Sequence, residues 1–175
     1  MGEAIGCIAA CAVTEAVTQR EMETGIRASA ETLEYVNWIA LERGRKLDAL
    51  DLMRALKKMN GVSRSFAAFF ETHDIWLAPT MTDVAPLLGY LDSTAPDIDL
   101  LVQRFSELYC FNSIYNGAGL PAITLPLHSS SGGLPIGMMF GTGFGNEGLL
   151  FRLAGQLERA MPWRDRYPAQ SLWMQ

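Results

Sequence analysis

The sequence predicts an α/β fold in which helices flank a mixed β-sheet of roughly three or more short strands. Three observations carry that expectation. Ile75 to Ala78, Ala122 to Leu127 and Pro135 to Phe140 are short apolar runs bounded by Gly and Pro, the pattern of strands buried on both faces that share one sheet and need helices above and below. Longer stretches between and around them place apolar residues three and four apart, the helical spacing. Hydrophobic residues make up 49% of the chain and charged ones 19%, a globular composition rather than a disordered one.

In chain order, residues 4 to 23 read as an Ala-rich helix with Ile5, Ile8, Ala9, Ala12 and Ala16 on its packing face and Gly25 as its stop. Small residues on that face imply close packing. Ser29 is the expected N-cap of a second helix, with Glu31 in the first turn and Leu33, Val36, Ile39 and Ala40 inward as far as Gly44. Asp48 is expected to cap a third, whose residues Leu52, Met53, Leu56, Met59, Val62 and Phe66 lead to Phe69 and Phe70. Pro79 then stops the first strand, because proline cannot donate to a central ladder.

Thr80 to Asp97 reads as a long irregular loop leaving the end of a buried strand, where ligands bind in α/β sheets. Asp97 and Asp99 suit the N-terminus of a helix carrying Leu100, Leu101, Phe105 and Leu108. The closing helix is expected to start at Asn146 as N-cap, with Glu147 in the first turn and Leu149, Leu150, Leu153, Ala154 and Leu157 on one apolar face.

Composition excludes several function classes. The 175 residues fit one domain, 1–175, and a domain of that size buries about 70% of its unfolded surface. A net charge of −5 offers no electrostatic footprint for nucleic acid or an anionic membrane. Cys7, Cys11 and Cys110 form no Cys-x-x-Cys pair, and only 2 His are present; neither a disulfide framework nor a zinc site is indicated, and a reducing cytoplasm fits. The apolar run from Ala4 to Val13 has Glu3 where a signal peptide carries basic residues, and it falls short of the ~20 residues of a membrane helix.

Two motifs imitate active sites. Ser129-Ser130-Ser131-Gly132-Gly133 falls between two strands, where Ser and Gly are ordinary turn formers. His128 beside it is a poor base for these serines, because adjacent turn residues rarely aim at each other. Gly141-Thr-Gly143-Phe-Gly145-Asn sits between a strand and a helix, but its third Gly is misplaced for a dinucleotide fingerprint. No cofactor or metal is expected.

The series Asn116-x-x-Gly119-Leu-Pro121-Ala-x-x-x-Pro126, a short insert, Gly133-Leu-Pro135-x-Gly137 and Glu147 opening a Leu-rich helix resembles the C-terminal end of the amidase signature family. Asp74-Ile-Trp-Leu-Ala-Pro-Thr80 resembles its strand ending in Pro-Thr, and Pro162-Trp163 lies where a Pro-Trp often closes the chain. Within the family, Glu31 to Asn60 looks most like bacterial amidases related to 6-aminohexanoate-cyclic-dimer hydrolase. The resemblance takes in nearly the whole chain but only the last third or so of such an enzyme.

That resemblance implies a partial amidase domain lacking the N-terminal catalytic core. In such enzymes a Ser attacks the amide carbonyl, a second Ser and a Lys shuttle its proton, and backbone N–H groups hold the oxyanion. The Lys and the Ser/Gly signature lie upstream of the Asn-x-x-Gly-Leu-Pro motif, so no catalytic residue carries over, and Lys46, Lys57 and Lys58 read as solvated. The resemblance also implies a small-molecule amide substrate for the full-length enzyme and makes Thr80, Met81, Tyr109, Cys110 and Asn116 substrate-binding candidates. A sheet that continues into missing strands would leave an open edge and an uncovered apolar face, so a homo-oligomer is expected. The alternative is a non-catalytic binding or oligomerisation module derived from an amidase.

Overall fold

The computed structural model describes residues 1–94 and 97–166. Three helices form its first layer. Helix α1 (Gly2–Thr24) ends where Gly25 turns left-handed, φ 70°, and returns its N–H to Glu21 O. Its buried residues Ala4, Cys7 and Ala10 are small, which lets α2 (Tyr35–Gly44) approach until a methyl group at Gly44 would strike Thr14 Oγ1 and the Ala10 carbonyl. Helix α3 (Ala49–Phe69) opens with a reciprocal cap: Asp48 accepts from Asp51 N–H at 2.9 Å, and Asp51 accepts from Asp48 N–H at 3.1 Å. Ala4, Cys7, Ala55 and Met59 form the core between α1 and α3.

The second helix starts later than Ser29. Ser29 N–H donates to Thr32 Oγ1, the N–H groups of Thr32 and Leu33 donate to Ser29 O, and Glu31 N–H reaches Ser29 Oγ. Ser29 thus closes a turn with its own neighbours instead of capping a helix. Glu34 holds the N-cap position without a side-chain bond, and Glu31 remains in the turn.

Strands β1 (Trp76–Pro79), β2 (Ala122–Ser129) and β3 (Pro135–Gly141) share one sheet in the order β1-β3-β2, and both pairings are antiparallel. Proline ends β1 opposite Met138, on an edge where its missing N–H costs nothing. The register slips between Leu125 and His128, around Pro126.

Burial on both faces does not hold along β2, where Ala122, Thr124 and His128 are exposed. The reason lies in what covers each face. Leu125 and Phe140 pack under Leu150, Leu153, Ala154 and Leu157 of α6 (Glu147–Ala160), with Trp163 closing the end. The opposite face carries the rows Trp76, Gly141, Ala122 and Ala78, Met139, Thr124. On that face Ala78, Met139 and Gly141 are buried while Ala122 and Thr124 at the β2 edge are exposed, and at the Trp76 end Tyr115 stacks 4.9 Å from Trp76 and Phe66 lies 5.0 Å from it.

Helix α4 (Ile98–Leu108) follows Asp97, whose carboxylate accepts Leu100 N–H at 3.0 Å, with Asp99 in the first turn. A short helix α5 (Asn112–Ala118) then occupies a stretch the apolar pattern left undefined, and a left-handed Gly119 ends it. Asn146 stands at the N-cap of α6 but gives it no side-chain bond. Buried Thr142 instead fastens this corner, donating to Asp74 O at 2.8 Å.

Candidate functional site

The end of β1 is tied in two directions. Thr80 N–H continues the ladder to Gly137 O at 2.9 Å, and Thr80 Oγ1 donates to Thr124 Oγ1 at 3.2 Å. Two residues later, Thr82 N–H reaches Leu108 O at 3.2 Å and Thr82 Oγ1 reaches Glu107 O at 2.7 Å. Met81 is held between these anchors, one on the sheet and one on the end of α4.

Tyr109 caps α4, returning its N–H to Phe105 O and accepting Asn112 N–H. The Thr82 bonds therefore bring Thr80 and Met81 to the same end of the molecule as Tyr109 and Cys110. The first three are half-buried and Cys110 is exposed. Asn116 lies farther along α5 and is exposed, and Gly119 N–H closes that helix on Tyr115 O.

Four residues that sequence reasoning passed over complete the region. Thr82 builds the bridge just described. Thr124 is exposed on the edge strand β2 although it stands inside an apolar run, and strict alternation from Leu125 was the signal for it. Asn112 Oδ1 is buried without a hydrogen-bond partner. Tyr115 is buried between Trp76 and Gly141, and burial pushes its phenol up to about 12, so it stays neutral and donates to Trp76 O at 3.5 Å.

The imitation sites resolve as structure. Ser130 N–H bonds Leu134 O at 2.8 Å, Ser130 Oγ accepts Leu134 N–H at 3.1 Å, and Gly133 has φ 82°, so the serines make a hairpin turn. Lys46, Lys57 and Lys58 are all exposed. Burial beside Cys11 raises the Cys7 thiol, which keeps it protonated and a poor nucleophile. Among the described residues no cluster of three or more His, Cys, Asp or Glu fits a metal ion, and no helix is long and apolar enough to cross a membrane.

This end of the molecule brings together hydroxyls, a methionine, a phenol and a thiol, with no base beside a nucleophile among these residues. The family model described as Amidase matches residues 4–151. The chain belongs to the amidase family. A Mycobacterium leprae protein named as an amidase, AmiC, is 38% identical over 125 residues, which are 71% of this chain and 26% of that protein. The 6-aminohexanoate-cyclic-dimer hydrolase of Pseudomonas sp. (strain NK87) is 29% identical over 145 residues, 79% of this chain and 29% of that enzyme. Among solved structures, a 6-aminohexanoate cyclic dimer hydrolase complexed with substrate superposes with a TM-score of 0.85 at 24% identity. That match covers 95% of this chain and 36% of the hydrolase. A bacterial aryl acylamidase of the amidase signature family gives 0.72 at 18%, over 95% and 34%. The chain thus spans between a quarter and about a third of the length of these relatives, and with them it shares the sheet and its flanking helices.

Proposed function

We propose that this chain is the C-terminal segment of an amidase that hydrolyses amide C–N bonds through a Ser–Ser–Lys triad lying outside it, and that the chain alone is inactive. The observation that carries this reading is the partial span: almost the whole chain aligns with 36% of a hydrolase. Exposed lysines and serines closed into a hairpin support it, since a serine nucleophile needs a base within hydrogen-bond reach. Thr80, Met81, Tyr109 and Cys110 supply part of the substrate-pocket wall for a small-molecule amide, with Asn116 at its margin. The exposed Leu87, Leu88, Phe144 and Phe151 favour association, either with the remainder of an amidase or between copies of this chain.

Amide hydrolysis by the purified chain tests the proposal directly. No turnover above background is expected, and co-expression with the catalytic N-terminal part of an amidase relative should restore it. Turnover by the chain alone that disappears in Ser130→Ala or Ser131→Ala would overturn the reading.

A further inference from the structure

We propose that Cys7 and Cys11 form a two-coordinate site for copper(I), a soft monovalent cation, where α1 meets α3. The inference stands apart from the amidase reading and uses none of the residues named under it. The two cysteines are four positions apart on α1, so their side chains lie one above the other on the same helix face. Their thiols meet in a hydrogen bond, and neither is in a disulfide. Cys7 is 7% exposed and Cys11 is half-buried, and both pack in the cluster of Ala4, Ala55 and Met59.

Two sulfur donors on one rigid helix face suit an ion that accepts two ligands in line. Copper(I) is such an ion and prefers thiolate, whereas zinc asks for four ligands, and no third His, Cys, Asp or Glu joins the pair as a metal cluster among the described residues. The surroundings agree: Ala4, Ala55 and Met59 are uncharged, and a weakly hydrated ion loses little by entering them. Burial, then the neighbouring Cys11 and Asp51, keep the free Cys7 thiol protonated, while Arg43 pulls the other way. Capture therefore forms two Cu–S bonds, releases both thiol protons to solvent and leaves a bis-thiolate complex of single negative charge. Arg43 answers that charge: its guanidinium lies against α1 at Gly6, where an added methyl group would be 3.2 Å from it. Among the described residues Arg43 joins no ion pair. A cleft of about 320 Å³ bordered by Glu3, Arg43, Asp51, Arg54 and Lys58 leads to Cys7 from solvent. Copper(I) passes between thiols by ligand exchange, and the three cations there suit an anionic thiolate donor.

Anaerobic titration of the reduced whole chain with copper(I), in competition with bicinchoninate, whose copper complex is coloured, reads this site. One copper ion per chain should be withdrawn from the indicator, and copper-edge X-ray absorption should show sulfur neighbours only. Cys7→Ala and Cys11→Ala should each weaken binding more than about a hundredfold, beyond the loss that follows removal of a group that only supports a ligand. Cys110→Ala, at the exposed third thiol, should leave binding unchanged. Cys11→Ala removes a half-buried side chain, so it keeps the test open where Cys7→Ala fails to fold. No withdrawal of copper by the wild-type chain, or equal binding by Cys11→Ala, would overturn the proposal. So would loss of binding in Cys110→Ala, the sign of an ion bridging two copies. No readout depends on amide turnover, so failure of the functional reading leaves the site standing, and failure of the site leaves the amidase.

Discussion

The helical layer of α1 to α3 and the sheet with α6 are held together by different means. In the helical layer most fixing contacts are near in sequence: Gly25 on Glu21, Ala28 on Glu21, Ser29 with Thr32, Asp48 with Asp51. Its core is made of Ala4, Cys7, Ala55 and Met59, side chains that offer little apolar area but permit close backbone approach. In the sheet the fixing contacts join distant segments: Thr80 to Thr124, Thr82 to Glu107, Thr142 to Asp74, Tyr115 to Trp76. Damage to the first should stay local, and damage to the second should spread, because each long-range tie holds two elements at once.

Two glycines test that contrast most severely. Gly44→Ala drives a methyl group into the backbone of α1 at Ala10, which cannot swing aside, and should cost about 3 kcal/mol. Gly141→Ala meets the Tyr115 ring and should cost about 2 kcal/mol as the stack on Trp76 is displaced. Hydrogen exchange in the two variants reads the spread. Faster exchange confined to α1 and α2 is expected for the first, and faster exchange in β1, α5 and the end of α3 for the second. The same exchange pattern in both would end the distinction.

A smaller effect is expected at the α3 cap, where Asp48→Ala should lower stability by about 1 kcal/mol in denaturant titration. Glu21 gives the helical layer a pH dependence of its own. The Ala28 N–H, followed by Arg27 and Arg45, holds its carboxyl below its ordinary 4.5, against the opposing effect of burial. A folded-state value below the unfolded one means stability that is present above about pH 4.5 and is lost as the pH falls through the folded value. Glu21→Gln should flatten that part of the acid limb, and an unchanged limb would show that Glu21 is not responsible. Least of all is expected from Asn146→Ala, within about 0.5 kcal/mol of wild type, because its side chain makes no cap bond.

Legibility divided along the same line. Gly and Pro punctuation placed the strands to within two residues, because backbone restrictions act locally. Asp48 and Asp97 were recognisable as caps for the same reason. Ser29 and Asn146 were equally good cap residues by type. Ser29 does something else because Thr32 competes for its groups, whereas Asn146 keeps the N-cap position with no side-chain bond. Thr80, Met81, Tyr109 and Cys110 were legible as residues bordering a loop and a strand end. Thr124 and Thr82 were not, since their importance lies in bonds to residues 44 and 25 positions away.

The sheet order also fixes a timetable. Strand β3 is central yet last of the three in the chain, so β1 leaves a ribosome with no partner and stays unpaired until Pro135–Gly141 has followed it out. Only β2 and β3 are close enough to pair as a hairpin, and the loop that brings β1 back spans all of α4 and α5, a closure whose entropy must be met before any ladder bond repays it. During that interval Trp76 and Leu77 are an exposed apolar strand, the kind of segment that chaperones hold and other unfinished chains capture. Slowing translation while Pro135–Gly141 is still inside the ribosome should therefore increase aggregation, whereas slowing it once that strand has emerged should not.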